Sequence, residues 1–415
     1  MRFNREVVKV ADARERLFPH IRVKPTEKLK LEQCVGRYLA QEIVSTSPLP
    51  HFHRSSMDGY AIRAADTRGA TRERPVLLEV LETIPAGSVP QHPITRGTAS
   101  RIMTGAAVPE GADAVVMIEW TETIEKDEKT YIYIPRELEP GTHIAPTGSE
   151  LEQGTLLLGK GQRIGPGEMA LLATFGYAEV EVYERPTVAI FATGSELLNV
   201  SSPLLPGKIR NSNSYTLLSL LLDAGAIPLM QETLPDEVEQ AQAKILDALD
   251  RADLVITTGG VSVGDFDILV DIFERWDGRM LFNKVAMRPG SPTTVGVRED
   301  KFLFSLSGNP GACFVGFELF VRPVIAGMMG KPDRSLPTFT AVMDEDFTKP
   351  SPFERYVRGR YEIVDGQMFV RLAGTEKSSI TLTIKDANCL IVVPPGGRGV
   401  GKGDKVQAIM LKKWE

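Results

Sequence analysis

Residues 257–267 read TTGGVSVGDFD and close the apolar run DLVITT. Backbone N–H groups at Gly259, Gly260 and Gly264, with the Ser262 hydroxyl beside them, can cup an anion where a helix begins. Asp265 and Asp267 would repel that anion unless a divalent cation stands between them. The ordinary reading is a tight strand-to-helix turn with one aspartate as N-cap. For the glycines alone the two readings stand level. A second carboxylate favours the anion and its cation.

Other stretches carry comparable groups. ATGSEL follows an apolar strand and offers Thr193, Gly194, Ser195 and Glu196; in a parallel sheet it opens on the same edge as the first loop. LSGNPGA places Ser307, Gly308 and Asn309 at a helix start, with Asn309 as plain N-cap ahead of Pro310 as the competing reading. NKVAMRPGSP brings Lys284 and Arg288 to a loop, and cations beside glycine-rich loops point to an anionic ligand. YVRGRYEIV sets Arg358 and Arg360 on one strand face, where pairing with Glu362 is the ordinary explanation. SSMDGYAI contains Asp58, whose Asp-Gly pair fits a turn, and RIMTGAAVPEGAD contains Thr104.

Several chemistries are excluded. The five histidines form no HExxH and no Cys-x-x-Cys accompanies them, so a zinc site is unsupported. GxxxxGK[ST], GxGxxG and GxSxG motifs are absent. Net charge is −6 with no dense basic run, so neither nucleic acid nor a membrane is expected as principal partner. Three distant cysteines form no closed disulfide framework, and the N-terminus lacks a signal-peptide core, which together suit the cytoplasm. Glu318, Arg322 and Pro323 interrupt the most apolar helix candidate.

The elements that position these groups can be read from pattern. The chain of 415 residues exceeds one domain. Residues 45–165 alternate strand-like runs with turns, and AVVMIEWTETI and TYIYI are expected to form a hairpin. GPGEMALLATFG reads as a short helix. Strand and helix then alternate from about 182 to 328, the grammar of a three-layer α/β domain with a mostly parallel sheet; NSNSYTLLSLLLDAGA is a helix with Asn and Ser as available caps. KPDRSLP is a linker, and the remainder returns to strands, a small β-barrel or sandwich.

SSMDGYAI, RIMTGAAVPEGADAVV, TGSEL, NSNSY, TTGGVSVGDFD, KVAMRPGSP and LSGNPGA occur in the order found in the molybdopterin molybdenumtransferase family, the MoeA proteins and the C-terminal half of gephyrin, and the chain resembles that family over nearly its whole length. The resemblance implies α/β plus β-rich domains: a MogA/MoaB-like αβα domain at 182–330, a β-rich insertion at 46–139, a discontinuous helical/β piece at 1–45 with 140–181, and a C-terminal β-barrel at 331–415. It implies a cytoplasmic homodimer that inserts molybdenum from molybdate into adenylated molybdopterin and releases AMP in a Mg²⁺-dependent step, supplied by a MogA-type adenylyltransferase. Its cleft lies between the α/β domain of one subunit and the β-rich domain of the other. By motif, Glu196, Asp236, Asp265 and Asp267 fall in the metal and adenylate phosphate region, with Asp236, Glu196 and Asp267 also catalytic candidates; Asp58 and Thr104 match positions implicated in activity; Lys284, Arg288, Arg358 and Ser378 are implied for oxyanion binding. Two departures stand out. Ser291 occupies a position where many members carry lysine, and TEKSS around Ser378 differs from the commoner glycine-containing form. A gephyrin-like scaffold without catalysis and a molybdopterin adenylyltransferase are the rival readings.

Overall fold

The computed structural model describes residues 6–235, 237–260, 268–275 and 277–411. Two compact units divide them. One takes the described residues of Met1–Gln41, Lys160–Gly165 and Glu179–Glu415, the other Glu42–Gly159 and Pro166–Ala178.

The N-terminal helix α1, Val10–Leu17, belongs to the first unit and buries Val10, Ala13 and Leu17, spaced three and four apart as one helical face requires. The second unit is built on a six-stranded sheet: β1 Gly59–Ile62, β2 Val76–Ile84, β3 Thr98–Ile102, β4 Ala114–Met117, β5 Glu122–Lys126 and β6 Lys129–Ile134, in the order β4-β1-β3-β2-β6-β5. The expected hairpin is therefore narrower than its sequence suggested. Glu122–Lys126 pairs with Lys129–Ile134 across a turn in which Asp127 and Glu128 both take positive φ, whereas Ala114–Met117 leaves for the opposite edge and pairs with Gly59–Ile62. The 3-10 turn Ile118–Trp120 is where the run breaks. Helix α2, Pro166–Thr174, starts on proline and stops before Gly176 at φ +77, as the punctuation predicts.

The first unit continues with β7 Thr187–Ala192, α3 Asn213–Ala224, β8 Ile227–Met230, α4 Val238–Arg251, β9 Leu254–Thr258, α5 Ile268–Glu274, β10 Arg279–Phe282, β11 Thr294–Arg298, β12 Lys301–Leu306, α6 Pro310–Gly316 and, after a π-helical turn, α7 Arg322–Met328. The sheet order is β8-β7-β9-β12-β11-β10, parallel through β12 and antiparallel beyond. Its strands are apolar on both faces because both are covered. Val188, Ile190, Leu254 and Ile256 pack with α1, α3, α6 and α7, while Ala189, Phe191, Val255 and Leu303 pack with α4 and α5. The apolar run Pro310–Met328 is long enough to cross a bilayer by length and composition, yet it is buried in this core. Glu318 and Arg322 form an ion pair inside it, joined by Asp223 at 2.9 Å.

After residues 331–337 come β13 Thr338–Met343, β14 Glu354–Val364, β15 Gln367–Leu372, α8 Leu382–Asp386, β16 Cys389–Val393 and β17 Lys405–Met410. The pairings β14-β15-β13-β17-β16-β14 close on themselves as a five-stranded barrel around Val357, Val370, Ile391, Val393 and Val406. Asp365 and Gly366, both at positive φ, turn β14 into β15.

Candidate functional site

The loops after β7, β9 and β12 meet at the carboxyl edge of the parallel strands, where a doubly wound sheet holds its ligand. Thr193, buried, donates its backbone N–H to Thr258 O at 3.0 Å. Gly259 and Gly260 follow at φ +95 and +63. A Cβ on Gly259 would stand 2.5 Å from Thr193 O, one on Gly260 would stand 2.8 Å from Thr193 Oγ1, and one on Gly308 would stand 3.3 Å from Gly259 Cα. The glycines are thus needed twice, for backbone hand and for space. What remains at the edge is bare main chain. Gly308 and Asn309 are exposed there, and so are Ser195 and Glu196, with Ser195 O accepting from Lys208 Nζ at 2.6 Å.

Asn213 ties these loops together. Its Nδ2 donates to Thr258 Oγ1 and to Gly308 O, each at 2.8 Å, and Thr258 Oγ1 reaches Ser307 O at 3.2 Å. The sequence offered the Asn and Ser residues here as available caps and did not single out Asn213. At the start of α3 the side-chain bond to the Ser214 N–H comes from Asn211. Nothing local in NSNSY distinguishes its asparagines, because the acceptors lie 45 and 95 residues away. Beneath this knot the Cys313 thiol is fully buried and pushed up to about 12, so it packs rather than attacks.

Helix α6 begins directly beyond. Asn309 sits at the N-cap position with Pro310 inside the first turn, but its side chain makes no capping bond. Three segments converge on this end. The 284–292 turn is closed by Val285 N to Ser291 O at 2.8 Å and Ser291 Oγ to Val285 O at 2.7 Å, and a Cβ on Gly290 would lie 3.3 Å from Ala312 O. Serine at 291 therefore staples its own turn. Lys284 is half-buried and Arg288 exposed, and among the described residues neither side chain has an ion pair or hydrogen bond. Ser378 O, half-buried in the barrel, accepts from Gly311 N at 2.8 Å.

Arg358 is a different kind of cation. Only 2% exposed, it donates from Nε to Thr383 Oγ1 at 2.7 Å, from Nη2 to Lys377 O at 2.9 Å and from Nη1 to Gly311 O at 3.5 Å. Burial pulls its pKa down, opposed by Glu376. Pairing with Glu362 belongs to Arg360, at 3.8 Å, and to Arg371. Arg358 instead fixes the 377–383 segment against α6.

In the β-rich unit Asp58 and Thr104 come together, 46 residues apart. Asp58 Oδ1 accepts from Thr104 N at 2.7 Å and from Thr104 Oγ1 at 2.9 Å. These bonds, backbone first, hold the Asp58 carboxyl below the usual range, with Arg101 adding to them. Asp58-Gly59 is not merely a turn: Gly59 opens β1, and a side chain there would overlap Val116 O of the neighbouring strand. His53, by contrast, accepts from Thr147 N through Nδ1 and is part of its loop.

Of the carboxylates expected at a cation, Asp236, Asp265 and Asp267 lie outside the described residues, as do Ser262 and Gly264. Among the described residues no three His, Cys, Asp or Glu side chains are grouped to hold a metal. Glu196 is described: its carboxylate folds over Gly194 and takes part in no ion pair among the described residues. An all-carboxylate donor set of this kind suits a hard divalent cation.

The site is thus a glycine-lined edge of a three-layer α/β domain, with Lys284 and Arg288, unpaired among the described residues, on an adjoining turn and a barrel anchored at the same helix. Residues 8–176 match the MoeA N-terminal region (domain I and II), residues 189–327 a probable molybdopterin binding domain, and residues 340–411 the MoeA C-terminal region (domain IV). The molybdopterin molybdenumtransferase of Bacillus subtilis (strain 168) is 47% identical over 94% of this chain and 90% of its own length. That of Staphylococcus aureus (strain Mu50 / ATCC 700699) is 42% identical over 98% and 96%. A crystal structure of the MoeA molybdopterin biosynthesis protein from Pyrococcus horikoshii superposes with a TM-score of 0.83 at 29% identity, covering 99% of this chain and all of that one. The chain belongs to the molybdopterin molybdenumtransferase family.

Proposed function

We propose that this protein is a molybdopterin molybdenumtransferase of molybdenum cofactor biosynthesis that takes adenylated molybdopterin and molybdate and releases AMP. One observation carries the reading. Segments far apart in sequence, at 193–196, 213, 258–260, 284–292 and 307–311, are joined by close glycine contacts and the Asn213 bridge into one edge, at which Ser195, Glu196, Gly308 and Asn309 are exposed and Gly194, Gly259 and Gly260 half-buried. Such an edge suits a pyrophosphate, since backbone N–H groups approach phosphate oxygens where no Cβ intervenes. Lys284 and Arg288, without carboxylate partners among the described residues, can receive an oxyanion such as molybdate.

Glu196, Asp236, Asp265 and Asp267 would hold Mg²⁺, which supplies charge neutralisation at the phosphates. The remaining work falls to the chain itself. The glycine loops bind and orient the polyanion, Asn213 keeps them in register, and Arg358 fixes the barrel segment carrying Ser378 at the α6 end. Asp58 stays ionised and is aimed by Thr104. It serves the site of the partner subunit if the enzyme is a cytoplasmic homodimer, and the four-domain division at 1–45 with 140–181, 46–139, 182–330 and 331–415 belongs to the same proposal. A MogA-type adenylyltransferase is the expected supplier of substrate.

The test is AMP release from adenylated molybdopterin with Mg²⁺ and molybdate. Release dependent on molybdate is expected. Its absence under conditions where a family enzyme turns over would overturn the assignment in favour of a non-catalytic scaffold. Pyrophosphate formation from ATP and molybdopterin would mark an adenylyltransferase instead.

A further inference from the structure

At the other end of α3 and β7 lies a cavity of about 420 Å³ lined by none of the residues assigned to the reaction. Its place follows from the chain path. Arg185 immediately precedes β7, and Leu222 to Gly225 end α3, whose first residue, Asn213, stands at the site loops. Arg163, Arg185, Arg322, Lys331 and Arg334 line it, against a single carboxylate, Asp223.

The five cations do not stand alike. Arg322 is buried, and although burial opposes its charge, Glu318 and Asp223 hold its pKa up. Arg163, Arg185, Lys331 and Arg334 make no ion pair among the described residues. Arg334 lies 5.2 Å over the Phe18 ring, and its N–H groups meet no hydrogen-bond acceptor among the described residues. Glu27 acts on Arg185 at longer range, but in a chain of net charge −6 four cations without an ion pair among the described residues repel one another in one concavity unless an anion joins them. Guanidinium forks match phosphate oxygens in pairs.

The cavity is also larger than a lone oxyanion requires and falls within the range of small-molecule sites. Leu222 and Leu336 give it apolar wall, and Tyr38 brings a hydroxyl that stays protonated, since burial raises its pKa. We propose that this cavity is a second anion site binding a small phosphate ester, with the phosphoryl group among Arg163, Lys331 and Arg334 and the organic part against Leu222 and Leu336. It lies apart from the glycine loops, so its occupancy is a property of the protein separate from turnover.

Calorimetric titration of the full-length protein with AMP, inorganic phosphate and pyrophosphate tests this. AMP is expected to show two binding events, one at the glycine edge and one here, the latter persisting in a Lys284→Ala/Arg288→Ala variant and tighter for AMP than for inorganic phosphate. Arg163→Gln with Arg334→Gln should weaken that event roughly tenfold or more. Arg163→Lys with Arg334→Lys, which keeps the charge, should restore part of it. Thermal melting confirms that each variant is folded. No binding in the Lys284→Ala/Arg288→Ala protein, binding insensitive to the glutamine pair, or phosphate binding as tightly as AMP would each overturn the proposal. So would an assembly structure in which a partner subunit's carboxylates fill the cavity. None of these outcomes bears on AMP release.

Discussion

The glycine loops of the α/β domain and the turn carrying Asp58 in the β-rich sheet present polar groups by opposite means. In the first, side chains are removed so that the main chain itself is the surface, and three loops must then touch one another almost without a Cβ between them. In the second, one carboxylate protrudes and is aimed by a neighbour 46 residues away. A backbone site tolerates no added atom, whereas a side-chain site tolerates an isostere and is sensitive to charge.

Four substitutions press on that contrast, in falling order of effect on folding. Gly259→Ala must place a Cβ 2.5 Å from Thr193 O on a backbone at φ +95, and should lower stability by about 3 kcal/mol, read by denaturant unfolding. Unchanged stability would mean that the loops do not stack as described. Arg358→Ala removes the donor from two buried acceptors and a part-buried one and should cost about 2 kcal/mol. Arg358→Lys should recover little of it, because a single ammonium cannot span them.

Asp58→Asn keeps shape and loses charge, so turnover should fall sharply while the fold persists. Because the folded-state pKa of Asp58 lies below its ordinary value, the carboxylate's bonds to Thr104 stabilise above the unfolded pKa and are lost as pH falls through the lower folded one. The stability difference between wild type and Asp58→Asn should therefore hold steady from neutral pH down to about pH 4 and shrink only below it. An Asp58 resonance titrating at or above the ordinary carboxylate value would refute the pairing. Lys284→Ala, at a side chain without partners among the described residues, should change stability by less than about 0.5 kcal/mol. It should nevertheless raise the molybdate concentration needed for half-maximal AMP release roughly tenfold.

Legibility in the sequence followed the range of the interaction. The alternation of strand and helix, the Pro166 and Gly176 boundaries of α2 and the glycines of the carboxyl edge are written locally, because each answers to neighbours a few residues away. The hairpin limits were misjudged where Ile118–Trp120 breaks an unbroken-looking apolar run. Arg358 read as a partner for Glu362 because strand alternation reports a face but not what covers it: Val357 packs inside the barrel, and Arg358 on the opposite face is covered by Gly311 of α6 and the 377–383 segment. Asn213 and the cavity of Arg163, Arg185, Lys331 and Arg334 were hidden for the same reason: their partners are assembled from segments scattered between residues 35 and 336.

The central claim is that the polyanion rests on main-chain amides at the sheet's carboxyl edge. Amide-resolved NMR on deuterated, ¹⁵N-labelled protein titrated with adenylated molybdopterin tests it most directly. The Gly194, Gly259, Gly260, Gly308 and Asn309 N–H signals should move together and saturate with the ligand. Saturated binding that leaves those five amides unmoved would contradict it.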